Sequence, residues 1–503
     1  MTLKEVASDS IPVTLIRGPS VAPRGSLNNE PCPAIGLAYL AGSLRAAGFA
    51  VRAIDAAGEA LDDIAPIPGT VLQYNGLGID AILTRVPRDT RVIGVSTMFS
   101  HEWLHDRALI HALKRAFPRA LVVAGGEHAT AIPEYLLKDC PSLDACLLGE
   151  GEASFVEYCR RVRDGASAAE LRGVIRHARE DDPATIAWPA WDLLPLEAYL
   201  CRGMSFGAGF GRNMPMMVSR GCPYECTFCS SPAMWTTKYR IRPVDDVIAE
   251  LRTYRRDYAI TGLQLYDLTA VIKRQWILDF CAALIKESAP LDWSLPSGTR
   301  SEALDAEVVE ALAASGCRYL VYAPESGSQR TLKLIKKRIS LPRVRASVAA
   351  AVASEISVRA NLIVGFPHET RLDIWKTVLL QVRFALMGVE DCPLYPFQPY
   401  PGSELFESLR ASGRITLNDR YFETLASLST GRFSLPDESF CEGVGRLELH
   451  VIRVAGFVCF YLLAYLLRPL RVIRTVRNVL FGRSTASVLE QRLKDRRRRG
   501  ALI

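Results

Sequence analysis

The first part of the chain alternates short apolar runs with longer amphipathic stretches. Runs of this length, rich in aliphatic residues and without strict alternation, are typical of strands buried on both faces. They predict a parallel, doubly wound, Rossmann-like α/β domain over residues 1–180. Such a sheet binds ligands at the carboxyl ends of its strands, where Gly, Ser and Asp follow these runs. The runs are residues 13–18, 51–56, 91–98, 121–127 and 145–152.

A second alternating series follows a linker at residues 181–212 and fills residues 213–410. Apolar helices, as at 244–255, 275–286, 305–315 and 371–387, separate its runs. Six βα units in this length predict a partial (βα)6 barrel rather than a complete eight-stranded one. The six runs are residues 214–221, 262–268, 291–297, 319–326, 358–367 and 392–402.

The remaining residues, 411–503, predict a helical C-terminal region that ends in a basic tail. Its most apolar stretch has no charge between Val454 and Leu467, which is too short to span a bilayer. Two interpretations stay open: a core helix packed on the barrel, or a helix in the membrane interface with nearby arginines at the headgroups.

Composition indicates a folded protein, with 49% hydrophobic and 23% charged residues. Much of the net charge of +7 lies in the run from Lys494 to Arg499, which we interpret as a solvated tail. We therefore expect no nucleic-acid partner. The first ten residues contain no apolar signal core, so we expect a cytoplasmic protein. The interfacial interpretation of the C-terminal helix adds a peripheral contact with the inner face of the membrane. The 13 cysteines are then reduced thiols.

Three of these cysteines, Cys222, Cys226 and Cys229, form a CxxxCxxC loop after an apolar strand. Three thiolates can hold three irons of a [4Fe-4S] cluster and leave the fourth iron open to another ligand. A zinc site would normally need a fourth Cys or His at paired spacing, and no His occurs between His177 and His368. The loop therefore predicts an iron–sulfur cluster.

The strand, the CxxxCxΦC loop with Phe228 before the last cysteine, and the partial barrel together resemble the radical S-adenosylmethionine (SAM) superfamily. The resemblance implies that the open iron binds SAM and that Phe228 lies beside it. An electron from the cluster then cleaves SAM to a 5′-deoxyadenosyl radical, while the protein orients the reactants and excludes water.

Later segments resemble the same superfamily in the expected order. LYDLT (265–269) resembles a second-strand motif that often has two acids, and it implies that Asp267 lies near the SAM amino group. APESG (323–327) resembles the fourth-strand motif and implies that Glu325 and Ser326 approach the ribose or methionyl part of SAM.

Two further loops complete this set. GFPHET (365–370) resembles GFPGET, with His368 at the second Gly, and implies a SAM contact at Gly365. PYPGSEL (399–405) resembles a last-strand turn, with Ser403 in place of Thr, and implies a SAM contact at Pro399.

The first domain resembles the cobalamin-binding class of these enzymes. PAIGLAYLAGSLRAAGFAVRAIDA (33–56), GGEHAT (125–130) and LLGEGEASF (147–155) carry the resemblance. The DxHxxG pattern is absent, so we expect His101, His105 and His128 to be surface or loop residues and cobalt to lack a histidine ligand below the ring. The implied cobalamin-binding residues are Gly18, Ser96, Thr97, Gly125, Gly126, Glu127, Gly149, Glu150, Gly151 and Glu152.

The resemblance implies methylation of an unactivated carbon, with one SAM methylating cobalamin and a second forming the radical. An alternative is oxidative cyclisation, as in the magnesium-protoporphyrin ester cyclase family, which shares the domain order and an element similar to Arg468-Pro469. A non-enzymatic cobalamin sensor would have no use for the three-cysteine loop. We expect a small-molecule or lipid- or tetrapyrrole-like substrate, and a reductase, flavodoxin or ferredoxin as electron donor.

Overall fold

Two six-stranded sheets organise the chain. The structure is a computed structural model that describes residues 10–500 except 27–30, 177–178, 180–181, 288, 301–302, 430–437 and 483–484. Its strands are β1 (Pro12–Arg17), β2 (Ser20–Pro23), β3 (Ala50–Asp55), β4 (Ile64–Pro66), β5 (Leu72–Asn75), β6 (Val92–Ser96), β7 (Leu121–Gly125), β8 (Ala145–Leu147), β9 (Gly173–Ile175), β10 (Asn213–Met216), β11 (Ser219–Arg220), β12 (Arg240–Ile241), β13 (Gly262–Leu265), β14 (Asp292–Thr299), β15 (Cys317–Glu325), β16 (Ser357–Val364) and β17 (Leu394–Pro396).

Helices connect these strands and form the C-terminal region. They are α1 (Ile35–Ala46), α2 (Ala56–Glu59), α3 (Ile79–Arg85), α4 (Trp103–Ala116), α5 (Glu127–Ala131), α6 (Pro133–Asp139), α7 (Gly151–Arg163), α8 (Ala168–Leu171), α9 (Leu196–Leu200), α10 (Ser231–Trp235), α11 (Val244–Tyr258), α12 (Arg274–Lys286), α13 (Ala306–Ala314), α14 (Gln329–Leu334), α15 (Leu341–Ala353), α16 (Arg371–Met387), α17 (Glu404–Ala411), α18 (Asp419–Ser429), α19 (Arg446–Leu467), α20 (Leu470–Phe481) and α21 (Val488–Gly500). Short 3₁₀ helices cover Ser100–Glu102, Pro183–Thr185 and Trp191–Leu193.

The N-terminal sheet, here called the sheet domain, has the parallel strand order β3-β1-β6-β7-β8-β9. Arg17 pairs with Ser96, Ser96 with Gly125, and Gly125 with Leu147, so the carboxyl ends of four strands meet at one edge. All five strands predicted from the apolar runs are present, and the doubly wound fold is confirmed. The sixth strand, β9, was not predicted because its two apolar residues, Val174 and Ile175, lie in a polar stretch next to Arg172 and Arg176.

The second sheet, here called the barrel, has the parallel order β10-β13-β14-β15-β16-β17. Its six strands are the six predicted ones, so the partial barrel is confirmed. The packing between the two sheets is continuous, since one apolar cluster contains Trp103 of the sheet domain, Trp191 of the linker and Trp293 of the barrel. The indole N–H of Trp191 also donates to the Tyr254 hydroxyl at 3.0 Å, which fixes the linker on α11.

The C-terminal region differs from the prediction in two respects. The apolar helix α19 begins at Arg446 and has 22 residues, because Arg453 does not interrupt it. By length and composition alone this helix could cross a membrane. Only 28% of its most apolar window is buried, which is less than in the core helix of a soluble protein. It is a core helix on one side only, where Leu449, Ile452 and Phe460 are buried.

The basic tail is less solvated than expected. It lies on α21, which is anchored at the amino ends of the barrel strands: Thr485 N–H donates to Gly209 O at 2.9 Å, and Gln491 donates to Ser205 O at 3.1 Å. Asp495 within the run is buried, whereas Arg496 and Arg497 are exposed. The side chains of the last part of the run lie outside the described residues.

Candidate active site

The three cysteines of the CxxxCxxC motif lie on a loop, residues 221–230, between β11 and α10. Gly221 is needed at its start, because its φ is +79° and an added Cβ would lie 2.2 Å from Lys238 O. Cys222, Cys226 and Cys229 are free and half-buried. Burial raises the pKa of each thiol.

The donor set fits an iron–sulfur cluster better than a single metal ion. No three His, Cys, Asp or Glu side chains in the described part of the chain are close enough to hold one ion. Zinc would need all its sulfur ligands at about 2.3 Å from one point. In a [4Fe-4S] cube each cysteine binds a different iron, so its sulfurs stand farther apart. Cys222, Cys226 and Cys229 would hold three irons.

Two cations lie near the cysteines and were not predicted from the sequence. Lys337 Nζ pairs with Glu325 at 2.9 Å, and both side chains are buried. Although burial lowers it, the pKa of Lys337 is raised by Glu325 and by the thiol of Cys226. The Arg300 guanidinium stacks over the Tyr224 ring, with Cζ 3.4 Å from its centroid. Both cations favour the anionic state of the thiolates.

Glu325, predicted to contact SAM, stands at an irregular point of β15. Its φ is +63°, in the left-handed region, and the pairing of β15 with β16 shifts register between Tyr322 and Glu325. Its neighbour Ser326 is buried, shares a hydrogen bond of 3.0 Å with Thr377, and accepts the N–H of Ser328 at 3.1 Å. These hydrogen bonds of Ser326 fix the conformation of the loop that the APESG motif forms.

The GFPHET loop is held by Glu369, a residue that the prediction did not name. Its carboxylate accepts the N–H groups of Gly365 at 2.7 Å and Phe366 at 3.2 Å. Burial raises the pKa of Glu369 to about 7. The turn is closed by a hydrogen bond of 3.0 Å from Glu369 N–H to Phe366 O. His368 does not have a positive φ in this turn, so a residue other than Gly fits at this position.

The other predicted SAM residues surround the cysteine loop. Asp267 is buried and accepts hydrogen bonds from Val218 N–H at 3.0 Å and Ser219 Oγ at 2.6 Å, so it fixes the strand that enters the loop. Phe228 contacts Phe366 edge-on, with ring centroids 5.6 Å apart. Pro399 O accepts the Tyr421 hydroxyl at 2.6 Å. These residues are brought together, and their contact with SAM stays a prediction.

At the carboxyl ends of the strands of the sheet domain, backbone segments approach one another closely. Gly126 has a φ of +119°, and an added Cβ would lie 2.8 Å from Thr97 O, so only glycine fits. Thr97 N–H donates to Gly125 O at 2.8 Å, beside the end of β6 at Ser96. An added Cβ on Gly18 would lie 3.1 Å from Asp106 Oδ1.

A group of polar side chains near this edge is buried without partners. Both ring nitrogens of His105 and His128 and one oxygen of Asp106 have no hydrogen-bond partner among the described residues. Burial lowers the pKa of His105 to about 4 and that of His128 to about 3. The expectation that His101, His105 and His128 are surface or loop residues was wrong for His105 and His128, which lie in α4 and α5 and are 4% and 1% exposed. His101 lies in the short 3₁₀ helix Ser100–Glu102 and is half-buried. Neutral imidazoles and a carboxyl group suit the carboxamide side chains of cobalamin.

The three acidic residues predicted for cobalamin bridge to the cysteine-loop side of the barrel. Glu127 accepts the Ser230 hydroxyl, and Glu150 pairs with Arg240. Glu152 pairs with Arg220 at 2.6 Å, and both side chains are buried.

Aromatic rings and tight turns support these bridges. Arg220 lies 4.8 Å from the Tyr39 centroid and 5.2 Å from that of Trp235. Gly149 N–H donates to Thr130 Oγ1 at 2.9 Å, and Gly151 begins α7. The GEGE loop thus joins the two domains.

Comparison with known proteins agrees with both halves of this arrangement. The family model for the radical SAM superfamily matches residues 216–380, and that for the B12 binding domain matches residues 29–158. The structure of the radical SAM methyltransferase TsrM from Kitasatospora setae, with cobalamin and a [4Fe-4S] cluster bound, superimposes with a TM-score of 0.64 at 18% identity, covering 90% of this chain and 91% of that one. This likeness extends the shared fold over nearly the whole chain.

Three curated relatives align over most of the chain. An uncharacterized methyltransferase of Pyrococcus horikoshii is 28% identical, covering 78% of this chain and 82% of its own. The cytidylyl-2-hydroxyethylphosphonate methyltransferase of Streptomyces wedmorensis is 28% identical, covering 66% and 69%. The anaerobic magnesium-protoporphyrin IX monomethyl ester cyclase of Rubrivivax gelatinosus is 25% identical, covering 75% and 66%.

Proposed function

The chain belongs to the radical SAM superfamily, among the enzymes with a B12-binding domain ahead of the radical SAM domain, and from this premise we propose that it is a cobalamin-dependent methyltransferase acting on an unactivated carbon. Its cofactors are SAM, a [4Fe-4S] cluster and cobalamin. One observation carries the proposal: Glu127, Glu150 and Glu152 join the strand ends of the sheet domain to the cysteine-loop side of the barrel. These contacts support the proposal that the two cofactor sites are neighbours in one chain.

When bound, the cluster supplies the electron that cleaves SAM, and cobalamin supplies the methyl group. The residues of this chain hold and orient these groups. Lys337 places a positive charge near Cys226 and Glu325, and Glu369 fixes the amides of the GFPHET loop. The buried pair of Glu152 and Arg220 sets the position of one domain relative to the other, which a transfer between two cofactors requires.

The test is the ratio of SAM-derived products. The anaerobically reconstituted enzyme is incubated with SAM carrying a deuterated methyl group and with a small-molecule extract of source cells. We expect S-adenosylhomocysteine and 5′-deoxyadenosine in equal amounts, and one metabolite that gains the deuterated methyl group. 5′-Deoxyadenosine without S-adenosylhomocysteine would contradict methylation. The triple variant of Cys222, Cys226 and Cys229 to Ala is the control and yields no 5′-deoxyadenosine and no methylated metabolite.

Oxidative cyclisation is the second candidate, supported by the Rubrivivax gelatinosus relative. The Arg468-Pro469 element, which is similar to one in that family, has a structural role here. Arg468 donates to the carbonyls of Ala385 and Leu386 at 3.3 Å and so closes the end of α16. This element therefore does not favour cyclisation, and the product ratio separates the two reactions.

The substrate is a small molecule, and we propose for it the lipid- or tetrapyrrole-like class. We also propose that a reductase, flavodoxin or ferredoxin reduces the cluster, since cleavage of SAM consumes an electron that the chain itself does not supply. We further propose that the enzyme is cytoplasmic and has no nucleic-acid partner. A contact with the inner face of the membrane belongs to this proposal too, and three helices of the C-terminal half support it.

A further inference from the structure

Large apolar side chains are concentrated on the outer surface of three helices, α16, α19 and α20. Sixteen of the 23 large apolar residues that are exposed among the described residues belong to them. Single exposed apolar residues are normal, whereas a contiguous set marks an interaction site. These residues, here called the apolar face, are Leu372, Trp375, Leu379, Leu386, Leu447, Val451, Val458, Leu462, Leu466, Leu467, Leu470, Val472, Ile473, Val476, Leu480 and Phe481.

Helices α16 and α19 lie side by side, and α20 follows α19 and is fixed to the end of α16, so the exposed apolar side chains of the three helices adjoin one another. Arg371 pairs with Glu448 at 2.7 Å and joins the starts of α16 and α19. Arg468 reaches the Ala385 carbonyl and joins their ends, so these helices run parallel. Arg471 donates to Val389 O at 3.1 Å and holds α20 against the end of α16.

The inner side of α19 is fixed along the barrel. An added Cβ on Gly456 would lie 2.7 Å from Leu394, so the helix backbone approaches β17 closely. Phe460 and Ala464 are buried further along the same side. A helix held in this way along its length lies on a bilayer and does not cross it, although its 22 residues would be long enough.

The charges of these helices are almost all positive. Their acidic residues are Asp373 and Glu448, which pair with Arg330 and Arg371 respectively. Lys376, Arg383 and Arg477 are exposed and have no ion-pair partner among the described residues. A two-fold contact with a second copy would bring such cations together, whereas the headgroups of anionic lipids attract them.

From the continuous apolar face and its positive border, we infer that α16, α19 and α20 dock on an anionic membrane surface. The apolar side chains enter the boundary between headgroups and acyl chains, and the lysine and arginine side chains contact the headgroups. The inference rests on the membrane contact included in the proposed function and assigns it to a surface. This surface is separate from the cysteine loop, so the vesicle test and the test of the reaction can fail independently of each other.

The test is co-sedimentation of the holoenzyme with vesicles of phosphatidylcholine and phosphatidylglycerol, compared with phosphatidylcholine alone. We expect binding to the mixed vesicles and a decrease at high salt. A triple variant, Leu466→Gln, Leu470→Gln and Phe481→Gln, should bind at least about tenfold more weakly, because each side chain contributes apolar area. These residues are 68%, 76% and 80% exposed, so the fold does not depend on them.

Two further variants make the result specific. Val71→Gln with Ile285→Gln changes exposed apolar residues elsewhere, 51% and 58% exposed, and should bind like the parent. Arg383→Gln with Arg477→Gln should weaken binding to the mixed vesicles several-fold. The inference is overturned if the triple variant and the Val71→Gln, Ile285→Gln control bind the mixed vesicles equally well. It is overturned as well if the parent does not prefer mixed vesicles to phosphatidylcholine alone. It is also overturned if light scattering shows a dimer that only the triple variant dissociates.

Discussion

The two strand edges that carry the cofactor sites are completed in different ways. At the barrel edge, the buried carboxylates of Asp267, Glu325 and Glu369 are held by backbone N–H groups, hydroxyls or a lysine of the chain itself. At the edge of the sheet domain, His105 and His128 are buried with ring nitrogens that the described residues leave unpartnered. The difference supports the proposal that cobalamin completes the edge of the sheet domain, where the imidazoles lack partners, whereas the three carboxylates at the barrel edge already have theirs.

The largest effect of a point mutation is expected at the bridge between the two edges. Arg220→Ala should lower the free energy of unfolding by about 4 kcal/mol, because it leaves the buried Glu152 carboxylate unpaired. Denaturant unfolding of the holoenzyme measures this change.

Arg45→Ala is the matched control for that variant. Arg45 forms an ion pair with Asp192 of the same length, 2.6 Å, but with 50% and 56% of the side chains exposed. Its loss should cost less than about 1 kcal/mol. Equal losses for Arg220→Ala and Arg45→Ala would show that the two domains are not joined through this buried pair.

A similar comparison tests the barrel edge. Lys337→Ala should cost about 3 kcal/mol and reduce the iron retained after reconstitution, because the Glu325 carboxylate loses its buried partner. The neighbouring variant Lys336→Ala removes an exposed pair with Glu404 and should cost less than about 1 kcal/mol. If the two lysines give the same stability and the same iron content, the chain does not shape this site through Lys337.

The histidines make the sheet-domain edge sensitive to acid. The pKa of His105 is lowered from 6.5 to about 4, so the unfolded chain binds more protons than the folded one between these values. Stability is therefore present above 6.5 and is lost as pH falls, by about 2 kcal/mol for each histidine between about pH 7 and about pH 5. His105→Gln should reduce this loss in denaturant unfolding of the cobalamin-free protein.

The control variant is His111→Gln, on the same helix but partly exposed. Glu369 acts in the opposite sense, since its pKa is raised to about 7 and its contribution to stability is lost as pH rises through that value. Because Glu369 contributes equally to both proteins, the quantity to compare is the difference between the parent and His105→Gln in the pH dependence of the free energy of unfolding. A pH dependence that His105→Gln leaves unchanged would contradict the assignment of a buried neutral imidazole.

The smallest effect is expected in the GFPHET loop. His368→Gly restores the residue of the related motif, but the turn needs no positive φ at this position. Stability should change by no more than about 0.5 kcal/mol, the entropic cost of glycine. A clear gain in stability, measured by thermal unfolding, would mean that His368 strains the turn.

Eleven of the twelve strands of the two sheets could be predicted, because each lies in a short apolar run and such runs alternate with amphipathic stretches. The cysteine loop could be predicted because its spacing alone specifies three thiolates and no fourth ligand. Strand β9 could not be predicted, since its two apolar residues, Val174 and Ile175, lie in a polar stretch and form no recognisable apolar run.

Contacts between segments that are distant in the chain could not be predicted from the sequence. The GEGE loop was correctly singled out, yet nothing local to Glu150 and Glu152 indicates partners at Arg240 and Arg220, some 70 to 90 residues away. His105 was expected at the surface or in a loop because it stands outside a DxHxxG frame, but that pattern identifies a cobalt ligand and carries no information on burial. Lys337 gave no usable signal, because it lies well beyond the APESG segment and stands between two other basic residues, Lys336 and Arg338.

The central claim is that the three-cysteine loop holds a cluster that works beside a separate cobalamin site. The most direct test is the cofactor content of the Cys222, Cys226 and Cys229 triple Ala variant after anaerobic reconstitution. The parent should contain about four irons per chain together with cobalamin. The variant should lose the iron and keep the cobalamin absorbance, since its sheet domain is unchanged. Iron retained in the variant, or a parent that binds cobalamin but no iron, would contradict the account.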